Sequence, residues 1–130
     1  MLEAKINLTE AISAYRCGNR DEALRISRAI LESEPNNAGA HYVLGKALLA
    51  LQRAVSLAPE NASFHITLGN LYLVLERDAE ATRAFSQALS IAPNSAPAHA
   101  NLATTLKRQG RLEEAVAEFR IALGLLHPEP

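Results

Sequence analysis

The chain of 130 residues is short of the residue types that build disulfide scaffolds and sheets, and it lacks the long apolar runs of membrane spans. It has one cysteine, Cys17, which excludes an intramolecular disulfide framework and a cysteine-built zinc site. Tryptophan is absent, and Phe and Tyr occur three times each. Val occurs 4 times and Ile 7 times, against 24 Ala and 20 Leu. Ala and Leu lose little on entering a helix, whereas strands favour β-branched residues, so this balance predicts helix. No apolar run approaches the roughly 18 residues that a membrane span needs. Thirteen Lys and Arg nearly balance 14 Asp and Glu, leaving a net charge of −1. That balance argues against a nucleic-acid partner held through phosphates. None of the six glycines opens a G-x-x-x-x-G-K phosphate loop. Met1-Leu2-Glu3-Ala4-Lys5 lacks a basic segment leading into an apolar core. No signal peptide is therefore expected, and the expected compartment is the cytoplasm.

What the chain does have is internal repetition. Pro35, Pro59, Pro93 and Pro128 follow one another at intervals of 24, 34 and 35. Three of them lead into Pro35-Asn36-Asn37-Ala38, Pro59-Glu60-Asn61-Ala62 and Pro93-Asn94-Ser95-Ala96. Each reads as a helix stop followed by a new N-cap, because Pro cannot continue a helix and an Asn or Ser side chain satisfies free N–H groups of the next first turn. Laid over the following segment, His65, Leu68, Gly69, Tyr72, Ala81, Phe85, Ala88 and Pro93 fall on His99, Leu102, Ala103, Leu106, Ala115, Phe119, Ala122 and, one residue late, Pro128.

This pattern resembles the tetratricopeptide repeat, W-x2-L-G-x2-Y…A-x3-F…P over about 34 residues, with His65 in place of the Trp. The resemblance implies an all-α fold of antiparallel helix hairpins stacked as a right-handed solenoid. It covers 1–130 as one domain, with repeats at about 3–35, 38–59, 62–95 and 96–128. The chemistry of the slots agrees. Small residues such as Gly69, Ala81, Ala103 and Ala115 let paired helices approach, while Leu68, Tyr72, Phe85, Leu102, Leu106 and Phe119 fill the space between neighbours. One hairpin cannot bury its apolar faces alone, so stacking builds the core.

The first repeat is looser. Leu8, Ala11, Ile12 and Tyr15 give its first helix an i, i+3, i+4, i+7 stripe, and Gly18-Asn19 turns into its second helix. Ser27 stands where Phe85 and Phe119 stand. The second repeat opens correctly at His41-x2-Leu44-Gly45-x2-Leu48 and closes correctly from Leu51 to Pro59, but its middle is ten residues short. Two readings stay open. In one, the chain lacks these residues and Ala38 to Ala58 runs as one helix about 30 Å long. Leu44, Leu48, Leu51 and Val55 then form a coiled-coil-like seam that asks for a second chain, making a homodimer. In the other, ten further residues sit between Leu51 and Gln52 and the repeat is ordinary.

Several residue groups invite a chemical reading. His41, His65 and His99 occupy the same slot of successive repeats, one repeat apart. That is too far to share a metal, whose ligand bonds are about 2 Å long. A packing role is favoured, and no metal or other cofactor is expected. Cys17 has Arg16 and Arg20 nearby in sequence but no indicated base, so it reads as a surface or packing thiol. Glu80 and the pair Glu113-Glu114 precede the small Ala of a second helix. There they complement the helix dipole rather than act as acid and base.

The resemblance implies a protein-interaction scaffold, not an enzyme, whose first helices line a concave groove for a peptide. The groove slots fall on Tyr42 and Lys46, on Ile66, Thr67, Asn70 and Leu73, and on Asn101, Thr104, Lys107 and Arg108. Asn amides bond a peptide backbone of any sequence, and Lys107 and Arg108 suit an acidic segment or carboxylate terminus. The expected partner is a protein or peptide, with no nucleic acid and no membrane. Two alternatives accompany this reading: a substrate-presenting arm of a larger enzyme such as a glycosyltransferase or sulfotransferase, and a helical homodimerisation module. At the chain's end, Leu123, Leu125 and Leu126 predict a last helix with uncovered apolar surface.

Overall fold

The computed structural model describes residues 10–127. Among them are seven helices and no strand. They are α1 (10–16), α2 (Arg20–Ser33), α3 (Ala38–Leu57), α4 (Ala62–Val74), α5 (Asp78–Ile91), α6 (Ala96–Arg108) and α7 (Leu112–Leu126). Leu8 of the first stripe and Pro128 of the last repeat lie outside the described residues. By its contacts the chain forms two compact units, Met1–Gln52 and Arg53–Pro130, with the boundary inside α3.

Two local devices recur and set the helix ends. The first is the proline stop. After Pro35, Pro59 and Pro93, the side chains of Asn37, Asn61 and Ser95 accept from the backbone N–H of Ala40, Phe64 and Ala98 at 2.9, 3.4 and 3.3 Å. These satisfy donors that a helix start leaves free. Six residues beyond each proline, a histidine Nε2–H donates to that proline's carbonyl: His41 at 2.9 Å, His65 at 2.9 Å and His99 at 2.8 Å. The histidine slot thus ties each turn to the first turn of the following helix.

The second device is the turn inside a hairpin. Asn19, Arg77 and Arg111 donate their backbone N–H five residues back, to Ala14, Tyr72 and Leu106 at 2.9, 2.8 and 2.9 Å. The residue before each donates three back, to Tyr15, Leu73 and Lys107. This is the Schellman closure, which needs a left-handed residue at its centre. Gly18 (φ 82°) and Gly110 (φ 80°) supply it, but the middle turn uses Glu76 at φ 58°.

In the first unit, Ala11 of α1, Ile26 and Ile30 of α2 and Ala40 of α3 form one buried cluster, with Leu31 packed against it. Ser27 is fully buried, and its hydroxyl has no hydrogen-bond partner among the described residues. A serine in the slot that elsewhere holds a phenyl ring therefore weakens this repeat twice, by lost volume and by an unsatisfied polar atom.

Helix α3 is continuous over 20 residues, as the reading without a ten-residue loop predicts. Leu44 and Leu51 are buried within the single chain, and Leu48 and Val55 are half-buried. A second apolar row, Val43, Ala47, Ala50, Ala54 and Leu57, runs in phase with this one along the helix, and periodicity alone does not say whether the same chain or another covers a row. Leu44, Leu48, Leu51 and Val55 offer a second chain little surface. The exposed side carries Tyr42, Leu49 and Leu57 instead.

In the second unit α4 packs on α5 and α6 on α7, α5 joins the two hairpins by packing on α6, and α4 also touches α6. Phe85 is fully buried at the centre. A Cβ on Gly69 would come within 2.6 Å of its ring. Gly45 fills the same slot of the short repeat, yet a Cβ there would meet nothing within 4 Å, because the helix that would carry the opposing ring is missing. Helix α7 leaves Leu112, Val116, Phe119, Ile121, Leu123 and Leu126 exposed; of the three leucines expected to be uncovered, Leu125 is half-buried, and Phe119 does not fill a space between neighbours.

These differences set opposite expectations for one substitution. Gly69→Ala forces the buried Phe85 ring to move and should lower stability by about 1–3 kcal/mol. Gly45→Ala relieves a glycine within a helix and should raise it by about 0.5–1 kcal/mol. Urea denaturation of both variants reads the contrast, and equal shifts would refute it. Separately, a left-handed L-residue costs roughly 1–2 kcal/mol, part of which glycine returns as chain entropy. Glu76→Gly should therefore stabilise the α4–α5 turn by about 0.5–1 kcal/mol. An unchanged denaturation midpoint would show that the turn carries no such strain.

Candidate peptide-binding surface

The residues expected to line a groove sit on α3, α4 and α6. In the first unit, Tyr42 and Lys46 are exposed one turn apart on α3, with the Lys46 ammonium 5.4 Å from the Tyr42 ring centroid. With Val43 they form one wall of a cleft of about 200 Å³ whose other wall is Ile12, Tyr15 and Arg16 of α1. Periodicity marks α1 as a packing stripe only and does not reveal that Tyr15 and Arg16 also border this cleft. An aromatic followed by a cation is the signal that could have found them.

In the second unit α4 touches α6, and each of these helices carries one of the expected stripes. Ile66, Thr67, Asn70 and Leu73 are half-buried on α4. On α6, Asn101 is half-buried, and Thr104, Lys107 and Arg108 are exposed. Thr67 and Asn101 share one slot of the repeat, and Asn70 and Thr104 share another. The threonines turn inward: Thr67 Oγ1 donates to the Ser63 carbonyl at 3.0 Å and Thr104 Oγ1 to the Ala100 carbonyl at 3.1 Å. The asparagines do not, and neither amide has a partner among the described residues. Each helix thus presents one unspent amide beside apolar surface.

The basic end divides. Lys107 is exposed in the last turn of α6. Arg108 is already engaged. Its Nη1–H donates to the Leu73 carbonyl at 3.1 Å, and its Nη2 lies 3.1 Å from Asp78 Oδ1, close enough to pair but out of hydrogen-bond alignment. Arg108 therefore fastens the end of α6 to the α4–α5 turn, and Lys107 is the cation this end has to offer. Nothing in the residues around Arg108 signals this link, because both partners belong to the preceding hairpin.

The acidic residues at the starts of α5 and α7 are also held. Arg77 grips Glu80 through two hydrogen bonds of 2.6 Å, and Arg111 grips Glu114 at 2.9 and 2.7 Å. Hydrogen bonding from Arg111 holds the Glu114 carboxyl below its ordinary range. Arg25 does the same to Glu22. Since both carboxyls are lowered on folding, their contribution is present above the ordinary carboxylate range and fades as pH falls through the lowered values. This is local stabilisation of a helix start, not acid–base poise.

Arg108→Ala should cost about 0.5–1 kcal/mol, a partly exposed ion pair plus one hydrogen bond. The ion-pair share should shrink in 1 M salt. Thermal melts at two salt concentrations test this, and an unaltered melting temperature at low salt would refute the link.

Models of the tetratricopeptide repeat match residues 8–56, 62–95 and 79–124. Among solved structures, the chain is similar to a crystal structure of MamA, with a TM-score of 0.61 and 24% identity over 94% of this chain and 77% of that one. A MamA of AMB-1 gives 0.64 and 24%, covering 98% of this chain and 75% of the other. MamA from Desulfovibrio magneticus RS-1, from position 41 to its end, gives 0.64 and 23%, covering 97% and 77%. At such identities the likeness is one of fold. No curated protein matches the chain. No helix among the described residues is long and apolar enough to cross a membrane. The three repeat matches, the proline-to-histidine ties and the glycine-against-ring packing together make this chain a member of the tetratricopeptide repeat family.

Proposed function

We propose that the chain is a non-catalytic scaffold that holds an extended peptide along the α4–α6 face of its second unit. The observation that carries this reading is the pair of unspent amides on Asn70 and Asn101. Each offers one acceptor and two donor hydrogens, which suits the alternating N–H and C=O groups of an extended backbone. Ile66 and Leu73 supply apolar contact beside them, and Thr67 and Thr104, turned back onto their own helices, leave that contact free of competing hydroxyls. Lys107 favours a carboxylate at one end of the peptide. Tyr42 and Lys46 give the first unit a contact of its own, an aromatic face with a cation above it.

Selection of a displayed peptide library on the full chain, followed by calorimetry on a recovered peptide, tests the reading. Two hydrogen bonds at about 0.5–1.5 kcal/mol each predict that Asn70→Ala with Asn101→Ala weakens binding about ten- to a hundredfold at unchanged melting temperature. Full affinity in the double variant would remove the peptide from this face.

A further inference from the structure

The two hairpins of the second unit differ around their histidines. In the last hairpin, His99 is held at both ring nitrogens: Nε2 by the Pro93 carbonyl at 2.8 Å and Nδ1 by the Glu118 carboxylate at 2.6 Å. The pair is largely buried, with side-chain exposures of 11% and 23%. A ring between two acceptors serves both when it holds both protons, and the carboxylate then faces a positive ring.

His65 occupies the same slot one repeat earlier and makes the same bond to the Pro59 carbonyl. It is 6% exposed. In its repeat the position equivalent to Glu118 is Ala84. A methyl group offers the ring no acceptor, and no group among the described residues bonds His65 Nδ1. In the place of the carboxylate is an open cleft of about 290 Å³, lined by His65, Leu68, Tyr72, Glu80, Arg83 and Ala84 among others. Glu80 is neutralised by its two bonds from Arg77. Arg83 is exposed and has no carboxylate partner among the described residues. The rim therefore carries one uncommitted cation, and the floor carries the largely buried His65 ring, whose Nδ1 no described residue bonds.

We propose that this cleft is a binding site for a carboxylate, delivered as a Glu side chain by a partner polypeptide, which takes at His65 the place that Glu118 takes at His99. The molecule's own last hairpin shows the occupant's chemistry. Leu68 and Tyr72 wall the cleft for the methylenes, and Arg83 draws the acidic segment in. The site lies on the His65-Leu68-Tyr72 stripe of α4, beside the Ile66-Thr67-Asn70-Leu73 face, and does not depend on peptide binding there.

The test is nitrogen-detected NMR of the histidine rings in the full chain. It compares a blocked Ala-Glu-Ala tripeptide with Ala-Gln-Ala, up to about 100 mM at constant ionic strength. The glutamate peptide should shift the His65 Nδ1 resonance and the glutamine peptide should not. Arg83→Ala should weaken the response about two- to fivefold. Ala84→Glu should abolish it and give His65 the pattern of His99 without any peptide. In the converse variant, Glu118→Ala, the opened His99 should acquire the response, which keeps the test decisive if Ala84→Glu does not fold. Equal shifts with both peptides, no shift at His65, a response that survives Ala84→Glu, or a silent His99 in Glu118→Ala would each overturn the proposal.

Discussion

A Cβ at position 69 would overlap the Phe85 ring at 2.6–2.8 Å, so α4 and α5 reach their observed separation only because that side chain is absent. The buried ring fills the space between them, on the helix that also packs against α6. The rest of the unit follows from that approach. The turn must be short and left-handed, which the closure at Glu76 provides. The next helix must start at a fixed point, which the proline stop, the Ser95 cap and the His99 bond to Pro93 provide. The last hairpin uses a softer version. Ala103 stands in the glycine slot, and Phe119 is 37% exposed, with no described helix over it.

The periodic parts of this structure are legible in the residues. Prolines, caps and the small-to-large slot pattern are local signals repeated at a fixed spacing, and they place α4 to α7; the unbroken α3 is one of the two readings they leave open. The histidine slot is readable as packing, although its bond to the proline carbonyl is not. What escapes is whatever depends on one particular pair meeting across the fold. Arg108 meeting Leu73 and Asp78 is such a case, and Glu118 meeting His99 is another. The side of α3 that turns inward escapes for a related reason: periodicity does not choose between its apolar rows, and the buried residues, Val43, Leu44, Ala47 and Leu51, come from both. Of the expected surface residues, Ile66, Leu73 and both asparagines are half-buried and Lys107 is exposed, while Arg108 is taken by the fold.

The shortened repeat shows what a sequence pattern retains after its structural reason is gone. Gly45 keeps the glycine of the motif, and His41 keeps its tie to Pro35 at 2.9 Å. The tie is local and survives the shortening, because both partners lie on the same side of the gap. The glycine's purpose was to admit a ring from a second helix of the same repeat, and that helix is absent. A motif match therefore reports ancestry at both positions but present function at only one.

The packing of the second unit has a kinetic consequence. The helix pairs in contact are adjacent along the chain or one helix apart, so each closure spans a short loop. Low contact order of this kind lowers the entropic barrier to folding and places such helical units in the microsecond-to-millisecond range. Each hairpin can form, dissolve and reform on its neighbour without waiting for a distant strand or terminus. An error in one repeat then remains confined to the interfaces it shares, which allows a chain with a truncated second repeat to keep well-formed third and fourth ones.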